Sequence, residues 1–96
     1  MDKITSEKLE KYFKITQEAF EKAKSSNENI GIDENTRNDF LDMIKRYIDD
    51  AKHFHEKNDV VNAFAAVTYA HGWLDAGARI GIFDVKDSRL FTVDDD

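Results

Sequence analysis

The sequence predicts an all-α fold, an antiparallel three-helix bundle with a short C-terminal tail. The chain of 96 residues contains no proline, and three of its four glycines lie in one late segment, residues 72–81. Hydrophobic residues recur at intervals of three and four over three long stretches, which is the period of an amphipathic helix. Because proline interrupts helices and glycine marks turns, this composition favours long helices joined by few turns.

The first helix is expected over residues 6–24. Either Thr5 or Ser6 can cap its N-terminus, and Ile4 can pack on Leu9 in the following turn. The apolar positions that follow Leu9 keep to one face, and lysine and glutamate occupy the opposite one. This helix therefore has one side for a core and one side for solvent.

The second helix is expected over residues 34–56. It follows the stretch SSNENIGID, residues 25–33, in which turn-forming residues break the helical pattern. We expect Ile30 and Ile32 to fold back over the open end of the bundle. The core-facing stripe of this helix is Phe40, Leu41, Ile44, Tyr47, Ile48, Ala51 and Phe54, with Met43 at its edge.

The third helix is expected over residues 59–80. Only Lys57 and Asn58 separate it from the second helix, and so short a turn predicts antiparallel neighbours. Asp59 is a suitable N-cap, and Gly81 is suited to the left-handed position that ends many helices. Ile82 would then make the hydrophobic contact that accompanies this ending.

Residues 86–96 are predicted to form an acidic tail that is partly disordered. Within it, Leu90, Phe91 and Val93 can either form a short strand or lie against the bundle. The last three residues, 94–96, are all aspartate, and we expect them to be disordered.

Composition limits what the protein can be. With 41% hydrophobic residues the chain can build one core, and we place this single domain at residues 1–85. The absence of cysteine excludes disulfides, thiolate catalysis and cysteine-based zinc sites. A net charge of −6 disfavours a nucleic-acid partner. Because no apolar run resembles a signal peptide or a membrane span, we expect a cytoplasmic protein without a membrane partner.

A row of polar side chains interrupts the third helix. Thr68, His71, Asp75 and Arg79 follow at intervals of three and four and therefore share one face. Such a row is either paired or functional, because burying an unpaired charge is costly. We expect Asp75 to pair with Arg79 and to accept a hydrogen bond from His71. The alternative is a polar pocket in which Arg79 binds an anion and Asp75 orients His71 for acid–base chemistry.

The end of this helix resembles a known family. The run YAHGWLDAGARIGIFDV, residues 69–85, contains the pattern W-x-D-x-G-x-R-x-G and is similar to the signature end of short archaeal proteins grouped as domain of unknown function 357. The pattern positions are Trp73, Asp75, Gly77, Arg79 and Gly81. The resemblance implies a three-helix bundle and an archaeal cytoplasmic protein. It implies no activity, and it transfers no catalytic residue.

Gly72 and Gly77 lie among several alanines of the third helix. A helical glycine costs about 1 kcal/mol relative to alanine, so the close approach of another helix is the expected reason for both. That approach occurs either inside the bundle or at a dimer seam, where Tyr69 or Trp73 of each protomer would cover the small residues. The candidate contact surface consists of Tyr69, His71, Trp73, Asp75, Gly77 and Arg79.

The second helix offers two weaker candidates. Asp49 and His53 share a face and could supply two metal ligands, but His55 points about 200° away from His53, so no metal site is expected. Arg46 and His53 fall within the R-x4–6-H spacing of HEPN-type helical ribonucleases, in which the two side chains serve a 2′-hydroxyl attack on RNA. The structural interpretation of both sets is a solvated helix surface.

These observations predict a non-enzymatic protein without cofactor, metal or catalytic residues, which acts by association. The partner is either a second copy of the chain or another protein. The alternative is an enzyme that processes RNA or a small molecule, using either the polar row of the third helix or Arg46 with His53.

Overall fold

The computed structural model describes residues 3–27 and 31–92. Its helices are α1 (Ser6–Ser25), α2 (Glu34–Glu56) and α3 (Val60–Arg79), and the described residues contain no strand. The prediction of an all-α three-helix bundle is therefore confirmed. Each helix begins and ends within one residue of the position expected from the sequence. None of the three is both long enough and apolar enough to cross a bilayer, as far as the described residues go.

Local side-chain chemistry sets where the helices begin. Each is preceded by a residue whose side-chain oxygen accepts a hydrogen bond from a backbone N–H of the first turn, a group that has no partner within the helix. Of the two candidate caps of α1, Thr5 is the one that acts. The three caps are Thr5, Asp33 and Asp59, which accept from Lys8, Asn35 and Asn62, respectively.

The end of α3 is fixed by a glycine in a left-handed conformation. Gly81 has φ of +86°, and its N–H donates to the Ala78 carbonyl at 3.3 Å. The N–H of Ile82 reaches back to the Gly77 carbonyl at 2.8 Å, which completes a Schellman motif. The Ile82 side chain is buried, so the predicted helix ending and its hydrophobic contact are both confirmed.

The core lies around α3, which packs most extensively against α2 and also against α1. Six residues of α3 are buried on the face turned towards these helices. All of them except Gly77 belong to one of two clusters. One is centred on Leu9, Ala51 and Val67, and the other on Phe20, Ile44, Ile48, Leu74 and Phe83. Ile32 packs at the edge of the second cluster, as predicted, whereas Ile30 lies outside the described residues.

Residues 84–92, here called the C-terminal segment, lie against the bundle. Leu90 and Phe91 are 1% and 2% exposed and belong to the same buried cluster as Phe83. Of the two arrangements left open by the sequence, packing on the bundle is the one observed, and the described part of the segment forms no strand. Val93 and the aspartates of residues 94–96 lie outside the described residues.

Arg37 holds together one end of the bundle. From the start of α2, its guanidinium donates to the backbone carbonyls of Ala23, Lys24 and Ser26 at 3.0–3.1 Å and to that of Ile82 at 3.3 Å. The first two carbonyls belong to the last turn of α1, where a helix leaves its carbonyls without internal partners. One cation therefore joins the end of α1, the start of α2 and the turn after α3.

Candidate contact surface and polar row of the third helix

Two members of the predicted polar row bind the C-terminal segment. The Asp75 carboxylate accepts hydrogen bonds from the backbone N–H of Thr92 at 2.7 Å and from its hydroxyl at 3.0 Å. His71 places Nε2 2.6 Å from the Leu90 carbonyl and Nδ1 3.3 Å from the Asp75 carboxylate. A neutral imidazole has a single N–H, so it donates to one of these acceptors at a time. This half of the row attaches residues 84–92 to α3.

Arg79 takes no part in that attachment. The predicted ion pair between Asp75 and Arg79 is not formed, since Asp75 is directed towards Thr92 and His71. Arg79 is exposed, and no acidic side chain of the described residues pairs with it. Thr68, at the other end of the row, donates to the carbonyl of Phe64 one turn earlier. His71 and Asp75 therefore have a structural role, Thr68 bonds within its own helix, and Arg79 has no acidic partner among the residues that the structure describes.

A shallow cavity of about 260 Å³ lies beside His71, between α1, α3 and the C-terminal segment. Two of its polar side chains have partners: His71 contacts the Leu90 carbonyl, and Arg89 pairs with Glu18 of α1. Its lining is Tyr12, Ile15, Thr68, His71, Ser88, Arg89, Leu90, Phe91 and Thr92.

Two ion pairs join the C-terminal segment to α1. Lys22 pairs with Asp87 at 2.8 Å, and Arg89 pairs with Glu18. The hydrogen bond from Arg89 lowers the pKa of Glu18, and the hydrogen bond from Lys22 lowers the pKa of Asp87. Both carboxylates are in contact with water, so each pair makes a small contribution to stability that salt can screen.

The side of α3 that faces away from the core is apolar. Val61, Ala65, Tyr69, Gly72, Ala76 and Ile80 are all exposed, and at 100° per residue they lie within an arc of about 100°. We call these six residues the outer face of α3. The large hydrophobic side chains that are exposed in the described chain are Val61, Tyr69 and Ile80, at 69%, 54% and 63%, and all three belong to this face. The only polar residues within the same arc are Asn62 and Arg79.

The two candidate glycines have different surroundings. A Cβ at Gly77 would lie 2.7 Å from Cδ2 of the Phe83 ring, so the absence of a side chain there is explained by packing inside the bundle. Gly77 is buried, and the contact surface that we propose below leaves it out. A Cβ at Gly72, by contrast, would meet no atom within 4 Å. No contact among the described residues explains why α3 carries a glycine at that position.

Aromatic side chains border the outer face on the side of α2. The Tyr69 ring packs edge-on against Tyr47 at 4.5 Å, and Trp73 packs edge-on against Phe40 at 4.9 Å. Tyr69 remains half exposed, whereas Trp73 is half-buried between the helices. Between them Gly72 forms the floor of an open groove of about 370 Å³. The groove is lined by Phe40, Thr68, Tyr69, Gly72, Trp73 and Ala76.

The candidates on α2 are held within their own helix. Arg46 pairs with Asp42 at 3.0 Å, and Asp49 pairs with Lys45 at 2.9 Å, each across one helical turn. His53 is exposed. Nowhere in residues 3–27 and 31–92 do three histidine, aspartate or glutamate side chains converge as a metal site would require. Arg46 of the ribonuclease spacing and Asp49 of the metal pattern are thus each engaged in an ion pair within α2.

Sequence reasoning missed Arg37 and the polar contacts that attach the C-terminal segment. Nothing in the sequence distinguishes Arg37 from the other basic residues, because its partners are backbone carbonyls contributed by two distant parts of the chain. The pairing of Asp75 with Thr92 spans 17 positions and follows no helical interval. The sequence signal that was available is the presence of Leu90 and Phe91, two large apolar residues in an otherwise polar stretch.

Comparison with known proteins gives one match. A family model described as "Protein of unknown function (DUF357)" matches residues 11–83, which cover all of α2 and α3 and most of α1. The C-terminal segment follows the matched region. No curated protein and no solved structure matches the chain significantly.

Proposed function

Since the chain belongs to the DUF357 family, whose description gives no activity, we propose its function from its surface: a non-enzymatic module that self-associates through the outer face of α3. The observation that carries this proposal is the clustering of Val61, Tyr69 and Ile80 on one uncovered helix face. A helix that is apolar all round is normally covered all round. Here α1, α2 and the C-terminal segment leave one side open to water.

The open position at Gly72 supports the same proposal. Glycine within a helix is unfavourable by about 1 kcal/mol relative to alanine, and no atom of residues 3–27 and 31–92 would obstruct a Cβ there. A helix from a second copy could pack into the space left by the absent side chain of Gly72, just as the Phe83 ring packs against Gly77. Two members of the polar row, His71 and Asp75, have a different role, because they hold the C-terminal segment.

The size of the face sets the expected strength of association. A helix of 20 residues is roughly 30 Å long, and a strip about 10 Å wide along it covers about 300 Å². Standard stable interfaces bury about 800 Å² on each partner. Even with the neighbouring Trp73 and Thr68 included, we expect a weak dimer with a Kd in the micromolar range.

Sedimentation equilibrium over a range of protein concentrations tests this function. We expect a reversible monomer–dimer equilibrium in the wild type. Tyr69→Glu should raise the dimer Kd at least about tenfold, because it places a charge in the centre of an apolar contact. The matched control is Asn38→Glu, which adds the same charge at an exposed position of α2 outside this face. A strict monomer at several hundred micromolar, or equal effects of both variants, would contradict the proposal.

A further inference from the structure

The residues of the outer face follow a spacing that is the same in both directions. From Val61 to Ile80 the successive intervals are four, four, three, four and four residues. Suppose that a second α3 packs antiparallel on this face, with a two-fold axis passing midway between Ala70 and His71. Each residue of the outer face in one copy then lies at the same height as another outer-face residue of the other copy. The opposed pairs are Val61 with Ile80, Ala65 with Ala76, and Tyr69 with Gly72.

The sizes of the opposed side chains are complementary. In the centre, Tyr69 of each copy faces Gly72 of the other, where the groove of about 370 Å³ is open to receive a ring. On either side of this centre, the two alanines allow the helix backbones to approach closely. At each end, the large apolar side chains of Val61 and Ile80 meet. A parallel arrangement in register would instead oppose Tyr69 to Tyr69 and leave the gap at Gly72 empty.

The positions of charged residues also favour the antiparallel orientation. In the antiparallel register Arg79 lies opposite Asn62, one helical turn from the carboxylate of Asp59. The Asp59 carboxylate caps α3 by accepting from the backbone N–H of Asn62 at 3.2 Å and from its side-chain amide at 2.7 Å. Each carboxylate oxygen has a further lone pair that can accept another hydrogen bond. Arg79 has no acidic partner among the residues described within its own chain. A parallel arrangement in register would instead place Arg79 opposite Arg79.

We propose that two copies pair through antiparallel α3 helices, with Tyr69 of each copy seated over Gly72 of the other and Arg79 of each bound to Asp59 of the other. This inference rests on the self-association proposed above and adds its orientation and register. In this dimer, the specificity of pairing is determined by Tyr69, Gly72 and the ion pair between Arg79 and Asp59.

The absence of cysteine makes disulfide cross-linking a direct test. Ala65→Cys and Ala76→Cys are prepared separately and oxidised alone and as a mixture. In the proposed dimer the two different positions face each other, whereas identical positions lie about 16 Å apart along the axis, beyond the ~7 Å that a disulfide permits. We expect efficient cross-linking in the mixture and little in either variant alone.

The outcomes separate the two proposals. Efficient cross-linking of Ala65→Cys with itself would overturn the antiparallel orientation while leaving self-association intact. Failure of the mixture to cross-link, in a protein that sedimentation shows to be dimeric, would overturn the proposed register. A protein that stays monomeric in sedimentation would instead contradict the proposed function itself.

The ion pair is tested by a double-mutant cycle on the dimer Kd. Arg79→Gln removes the cation, and Asp59→Asn removes the anion while keeping an oxygen that can cap α3. Because the pair occurs twice in the symmetric dimer, each variant should raise the Kd by roughly 2- to 30-fold. The double variant should be no weaker than either single one. Additive losses, or an unchanged Kd in either single variant, would overturn this contact.

Discussion

At the scale of single residues, α3 contains two glycines whose roles depend on what approaches them. Phe83 packs on Gly77, and Phe83 is placed there by the turn at Gly81. Gly72 has only open space beside it. The sequence predicts that another part of the structure packs closely against each glycine. It does not predict whether that part belongs to the same chain or to a partner, because this depends on how α3 is rotated about its axis in the bundle.

Replacing each glycine by alanine should change monomer stability in opposite directions. Gly77→Ala should lower the free energy of unfolding by about 1–3 kcal/mol, because the new Cβ overlaps the Phe83 ring. Gly72→Ala should raise it by about 0.5–1 kcal/mol, since alanine favours the helix and meets nothing. Urea unfolding at low protein concentration measures both. Equal destabilisation by the two substitutions would show that Gly72 is also packed within the monomer.

At the scale of elements, the sequence predicts the three helices well and the C-terminal segment poorly. The starts and ends of helices depend on local chemistry, such as the capping carboxylate of Asp59 and the left-handed Gly81, and are therefore visible in the sequence. The C-terminal segment is held instead by contacts between distant positions. Asp87 reaches Lys22 across 65 positions, and a pairing of that kind has no sequence period.

Acid is expected to loosen the C-terminal segment before it unfolds the helices. The pKa values of Glu18 and Asp87 are lower in the folded chain than in the unfolded one. Their ion pairs with Arg89 and Lys22 therefore stabilise the segment fully above the unfolded pKa of about 4, and this stabilisation is lost as pH falls through the folded values.

Amide hydrogen exchange provides the measurement. The Leu90 and Phe91 amides donate to the Asp87 carbonyl at 3.0 and 2.9 Å, so their protection reports on the segment. After correction for intrinsic rates, protection should fall between pH 6 and pH 3 by more than that of buried α3 amides such as Val67. The variant Glu18→Gln should show a flatter dependence. Equal loss of protection in the segment and in α3 would contradict the expectation.

At the scale of the whole molecule, the core is completed by residues beyond the helices. The sequence places the domain at residues 1–85, and the family match ends at residue 83. Leu90 and Phe91 are nevertheless buried in the cluster that contains Phe83. We propose that the unit which folds cooperatively extends to Thr92.

Truncation after residue 85 should therefore be strongly destabilising. Full burial of a leucine or phenylalanine side chain contributes roughly 1.5–3 kcal/mol, so losing Leu90 and Phe91 should lower the free energy of unfolding by about 3–6 kcal/mol. This is a large part of the total for a chain of this size. Guanidinium unfolding measures it, and the control is a chain that lacks only residues 93–96. Similar stability of the two truncated chains would contradict a cooperative unit that includes residues 84–92.

Arg37 has a consequence for how one end of the bundle opens. Helix ends usually fray one at a time, at little cost in free energy. Here the last turn of α1 and the turn after α3 share one guanidinium, which also packs over the Phe83 ring. If either the last turn of α1 or the turn after α3 moves away, Arg37 loses hydrogen bonds to that segment while it remains bonded to the other. The end of α1 and the end of α3 are therefore expected to open together, as one event.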